Sequence, residues 1–108
     1  MVKRIGTYRE AVELYSPERA GLYPSIKDSF SDVPIENAEK IKRFILTGGF
    51  LDIGTTAESV DMLTGESTGL RGNIRSDGFY SWPISLAYYV DKYNLRLPDD
   101  FVQHALAS

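Results

Sequence analysis

The chain has 108 residues, enough for one domain at roughly 150 residues per domain, and its 43% hydrophobic and 25% charged content is that of a folded globular protein. It contains no cysteine, which excludes disulfide frameworks, thiolate metal centres, iron–sulfur clusters and cysteine nucleophiles. The formal charge of −3 argues against nucleic-acid binding, which needs a basic field to displace counterions from phosphate.

In chain order, Thr7-Tyr8-Arg9-Glu10 has the T-x-x-E form of a capping box, and Tyr8, Val12 and Tyr15 recur at helical spacing. These predict a first helix ending near Ser16-Pro17. Residues 21–30 contain Pro24 and show no clean period, so an irregular connection is expected. A second helix should run from Pro34 to the Gly48-Gly49 stop, burying Ala38, Ile41, Phe44 and Ile45, with Glu36/Lys40 and Glu39/Arg43 as i,i+4 ion pairs.

The period then changes from helical to alternating. Leu51, Ile53 and Thr55, then Val60 and Met62, then Leu70, Gly72 and Ile74, read as successive strands, with a turn at Thr64-Gly65-Glu66-Ser67. Asp77-Gly78 is a hairpin signal of the type I′ kind, and residues 79–82 form the return strand, with Tyr80 and Trp82 on one face. Pro83 opens a helix over residues 84–94 with Asn94 as a left-handed stop. Pro98-Asp99-Asp100 opens a last helix whose stripe is Phe101, Val102, Ala105 and Leu106. The expected architecture over residues 1–108 is a single α+β domain: a small antiparallel β-meander packed against about four short helices.

Few residues present a catalytic pattern. His104 is the one histidine, and beside an apolar stripe it reads as a helix-end residue rather than a base or metal ligand. Asp99 and Asp100 are explained by the helix dipole, since adjacent helical residues do not face each other. Thr64-Gly65-Glu66-Ser67-Thr68-Gly69 lacks the G-K-[ST] ending of a phosphate-binding loop and joins two strands. Glu58, Asp61 and Glu66 bracket the predicted hairpin with a spacing unlike a calcium loop. No catalytic residue, metal ligand or cofactor is assigned. Of the aromatic residues, Trp82, Tyr89 and Tyr93 are expected in the core, while Tyr80 and Tyr88 suit either core or contact surface.

Leu63-Thr64-Gly65-Glu66, Ser76-Asp77-Gly78-Phe79-Tyr80-Ser81-Trp82-Pro83, Leu86-Ala87-Tyr88-Tyr89-Val90 and Leu97-Pro98-Asp99-Asp100-Phe101 together carry a resemblance. The segment from Leu63 to Leu106 resembles small cytoplasmic bacterial proteins of unassigned function with a D-G-x-aromatic-x-W segment. These are similar in size and character to the immunity proteins of bacterial toxin systems. The resemblance implies a class and supplies no catalytic residue.

Charge points the same way. Lys and Arg balance Asp and Glu at eight each through Gly54, but from Thr55 onward four bases face seven acids. The leading expectation is a non-enzymatic protein-binding module, an immunity-type inhibitor whose Glu58, Asp61, Glu66, Asp77 and Tyr80 meet a basic, toxin-like protein. Two alternatives remain open. One is a small metal-dependent hydrolase in which those carboxylates converge with His104; the other is a regulatory module holding a small ligand between sheet and helices. No apolar run reaches the roughly 20 residues of a membrane span and the first residues lack a secretion-signal core, so a cytoplasmic location without membrane partners is expected.

Overall fold

The strand with the largest side chain to bury organises the molecule. In the computed structural model, which describes residues 1–108, Trp82 lies fully buried on strand β6 (Tyr80–Pro83). This strand pairs antiparallel with β5 (Ile74–Ser76), and β5 pairs antiparallel with β2 (Phe50–Ile53). On its other side β6 pairs parallel with β1 (Lys3–Arg4), giving the order β1-β6-β5-β2. Between β2 and β5 the chain leaves the sheet as a separate antiparallel hairpin, β3 (Glu58–Val60) and β4 (Ser67–Arg71). The fold is α+β with a strand meander. The β1 strand, two residues long, is too short to give any periodic signal in sequence.

Four α-helices accompany the strands: α1 (Arg9–Val12), α2 (Ala38–Thr47), α3 (Leu86–Tyr93) and α4 (Asp99–Ala107). Two 3₁₀ turns, Pro17–Leu22 and Ile26–Ser29, occupy most of the irregular connection. The Thr7–Glu10 capping box does not form. Glu10 instead accepts from the Ser25 hydroxyl at 2.5 Å and the Ile26 amide at 2.8 Å, tying the start of the second 3₁₀ turn to α1. Helix α1 is a single turn, and Tyr15 lies exposed beyond it.

Helix α2 starts at Ala38 rather than near Pro34, because Asn37 before it is left-handed at φ 59°. Glu36 is therefore outside the helix, and the expected i,i+4 pairs are replaced by Lys42, which bridges Glu39 at 2.7 Å and Asp91 of α3 at 2.9 Å. At its far end, Gly49 has φ 62° and a Cβ there would lie 2.1 Å from the Ser76 carbonyl oxygen, so only glycine fits. Arg75 donates to the carbonyls of Thr47, Gly48 and Gly49, satisfying that helix end from β5. Asn94 ends α3 in the left-handed region, as its sequence position predicts. Gly78 also has positive φ, but Asp77 does not, so the β5–β6 turn is not type I′.

The helices cover one face of the sheet. Trp82 stacks on Phe44, packs at a tilt against Phe101 and donates its indole N–H to the Ile45 carbonyl at 2.8 Å, joining β6, α2 and α4. Ile41, Leu86, Tyr89, Val90 and Leu95 complete the centre of this core. The opposite face is a shallow hollow of about 420 Å³ lined by residues including Val2, Phe50, Ile53, Ile74 and Ser81. No helix is long and apolar enough to cross a membrane.

Candidate functional site

Asp61 follows β3 and opens the turn toward β4. One carboxylate oxygen accepts from the backbone amides of Leu63 at 2.8 Å and Thr64 at 3.2 Å, the local pattern of an Asx turn. The other accepts from the hydroxyls of Tyr93 at 2.6 Å and Tyr88 at 2.8 Å, with the Lys92 ammonium 3.7 Å away. Tyr89 sits between them, its hydroxyl donating to the Val60 carbonyl and accepting from the Met62 amide. Three tyrosines of α3 thus grip one hairpin end.

The electrostatics follow from this enclosure. Burial alone would raise the Asp61 pKa, but the hydrogen bonds from Tyr93, Leu63, Tyr88 and Thr64 outweigh it and hold the carboxyl at about 2. Burial pushes the Tyr89 phenol up to about 12. A hydrogen bond to the Tyr88 hydroxyl, opposed by desolvation, raises the Lys92 ammonium. With 0% of its surface exposed, Asp61 cannot meet a partner, and the expected acidic contact patch loses its central member. Its carboxylate is consumed by protein donors, so it serves as a structural node.

Asp77 is also an anchor. It accepts from the amides of Phe79 at 3.0 Å and Tyr80 at 2.9 Å, and its second oxygen meets His104 Nε2 of α4 at 2.5 Å. Its side chain is only 14% exposed. Burial opposes ionisation, but the Tyr80 amide, His104 and the Phe79 amide together lower the Asp77 pKa. Tyr80 is half-buried, its ring against His104 and Phe101 and its hydroxyl donating to Asp100, which in turn pairs with Lys3 at 2.8 Å. The aspartate and tyrosine expected at a contact surface therefore lock the β5–β6 turn onto α4 and the N-terminal strand.

Only Glu58 and Glu66 of the five expected contact residues are well exposed, and Glu58 accepts from the Ser67 hydroxyl on the paired strand of the hairpin. The acids do not converge: no three of the His, Asp and Glu side chains are grouped to hold a metal ion. The His104–Asp77 pair has the donor–acceptor geometry of a catalytic dyad, yet the neighbouring Ser76 hydroxyl is committed to the Tyr80 carbonyl, leaving it no evident nucleophile.

What the fold does expose is β2. Phe50, Leu51 and Ile53 are 53%, 53% and 55% exposed, and β2 is the outer strand of the sheet with no neighbour beyond it. In the sequence Leu51 and Ile53 alternate with Phe50 and Asp52, as in a strand. The bulge between them, and the departure of the chain into β3, leave both uncovered. The readable signal was Phe50-Leu51-Asp52-Ile53 itself, a run apolar on both faces with no helix behind one of them. No protein-family model, curated protein or solved structure matches this chain.

Proposed function

We propose that the chain is a non-enzymatic protein-binding module, an immunity-type inhibitor of a bacterial toxin, whose contact surface is β2 and the open sheet face beside it. One observation carries the reading: an outer strand with one free edge presents three large apolar side chains to solvent. Folded proteins usually blunt such edges with charge, proline or a covering loop, because a free edge templates pairing with another chain. Here Asp52 is the only charged residue on the strand. A partner strand added to β2 would gain main-chain hydrogen bonds, and Phe50, Leu51 and Ile53 would supply the apolar anchors. Glu58 and Glu66 on the neighbouring hairpin supply rim charge that speeds encounter with a basic partner. The resemblance around Asp77–Trp82 narrows that partner to a toxin.

The test is capture of the partner from the native host, its purification, and titration of its toxic activity. Wild type should inhibit a basic toxin. Leu51→Lys with Ile53→Lys should lose inhibition by about tenfold or more while melting like wild type, since neither side chain is buried. Glu58→Lys with Glu66→Lys should mainly slow association at low salt. Equal inhibition by wild type and the Leu51/Ile53 double variant would refute the β2 surface.

A further inference from the structure

The largest concavity of the molecule lies at β1, the opposite edge of the sheet from β2. It is a groove of about 980 Å³ running from the N-terminal strand past the first 3₁₀ turn to the segment before α4. Four cations line it, Lys3, Arg4, Arg19 and Arg96, against one carboxylate, Asp99. In a chain of net charge −3 this gathers a third of the 12 basic residues at one hollow.

Lys27, Arg43 and Arg71 are free of ion pairs and side-chain hydrogen bonds but lie outside this groove, and several other cations are spent on protein acceptors. Arg75 is spent on three carbonyls, Arg9 on the Tyr23 carbonyl, and Lys42 on two carboxylates. Lys3 is paired with Asp100. Arg4, Arg19 and Arg96 are exposed and form neither an ion pair nor a side-chain hydrogen bond. Three like charges around one hollow repel, and a bound anion removes that cost. The backbone adds donors: the amides of Gly6 and Thr7, at the groove wall, have no backbone acceptor. Gly6 is held at φ 95°, where a Cβ would crowd Pro83 at 3.0 Å, so this stretch of wall is fixed. The floor is apolar, built from buried Ile5, Tyr8, Val12 and Leu97, and Tyr15, 73% exposed, presents a flat ring at the rim.

We propose that this groove binds a phosphorylated small molecule with a ring-bearing body, its phosphate oxygens held by Arg4, Arg19 and Arg96 and its ring packed against Tyr15. Guanidinium groups present paired donors that match phosphate oxygens, and three of them call for a multivalent anion rather than a single carboxylate. The volume suits a ligand of cofactor size. A nucleic-acid strand continuing beyond the groove would run into Asp99 and Asp100 and the negative field of the whole chain.

Calorimetric titration of the full chain at physiological salt tests this, with ADP, pyrophosphate, adenosine and a short single-stranded oligonucleotide as probes. ADP should bind saturably at one site, pyrophosphate more weakly, and adenosine not at all. Arg4→Ala, Arg19→Ala and Arg96→Ala should each weaken ADP by about tenfold, the loss of one charge-assisted hydrogen-bonded contact. Tyr15→Ala should weaken ADP but not pyrophosphate. The Leu51/Ile53 double variant should bind ADP like wild type, which separates this groove from the β2 surface. Absence of saturable binding by both ADP and pyrophosphate, unchanged affinity in the arginine variants, or tighter binding of the oligonucleotide than of ADP would each overturn the proposal.

Discussion

Asp61 and Asp77 are the same local device used in two surroundings. Each opens a hairpin turn, and each accepts with one oxygen from the amides two and three residues ahead. Each offers its second oxygen to a helix, Asp61 to the tyrosines of α3 and Asp77 to His104 of α4. They differ in what surrounds that second oxygen. Asp61 is sealed from solvent and satisfied by two phenol hydroxyls, whereas Asp77 stays partly exposed beside a single imidazole that is itself 27% exposed. An Asx turn settles only half of an aspartate's hydrogen bonding. The remaining oxygen is free to become a tertiary anchor, and its value depends on how completely water is excluded around it.

The sharpest way to break the comparison is to remove each carboxylate in turn. Asp61→Ala removes the fully buried acceptor of two tyrosine hydroxyls and two amides, and should cost about 3–4 kcal/mol of unfolding free energy. Urea denaturation measures it, and a cost near 1 kcal/mol would show that water or rearranged tyrosines replace the carboxylate readily. Asp77→Ala should cost about 1–2 kcal/mol, because solvent reaches the groups it leaves behind. A larger loss at Asp77 than at Asp61 would reverse the ranking and place the stability-determining anchor at α4.

Much of the fold was legible in the chain because it rests on local signals. Asn94, Pro98 and the alternation around Tyr80–Pro83 mark element ends and faces that no distant residue overrides. The rest depends on long-range pairing. Nothing near Lys3 predicts that it lies beside Tyr80, and nothing near Glu10 predicts that Ser25 will take its carboxylate from the capping box. The contact site was read least well for the same reason. Acids in predicted turns are normally exposed, so Asp61 and Asp77 were natural candidates, but the donors that enclose them come from helices later in the chain. Arg4, Arg19 and Arg96 are scattered in sequence and meet only in the folded groove.

Acid titration sharpens the same comparison without deleting either anchor. The Asp61 carboxyl titrates at about 2 in the folded protein, against roughly 3.9 for an unfolded chain. A depressed native pKa means that the unfolded state binds more protons over that interval, so the contribution is complete above the unfolded value and lost as pH falls through it toward 2. At about 1.4 kcal/mol per pKa unit the whole contribution is about 2.6 kcal/mol, of which about 1 kcal/mol should be lost between pH 6 and pH 3. Asp77 is lowered too and falls in the same direction. Urea unfolding at those two pH values, for wild type and for Asp61→Asn, isolates the first of these. The amide cannot titrate, so the variant should lose about 1 kcal/mol less than wild type on acidification, and Asp77→Asn should flatten the profile by a smaller amount. Equal acid sensitivity in wild type and Asp61→Asn would mean that the enclosed carboxylate does not set the acid stability of this fold.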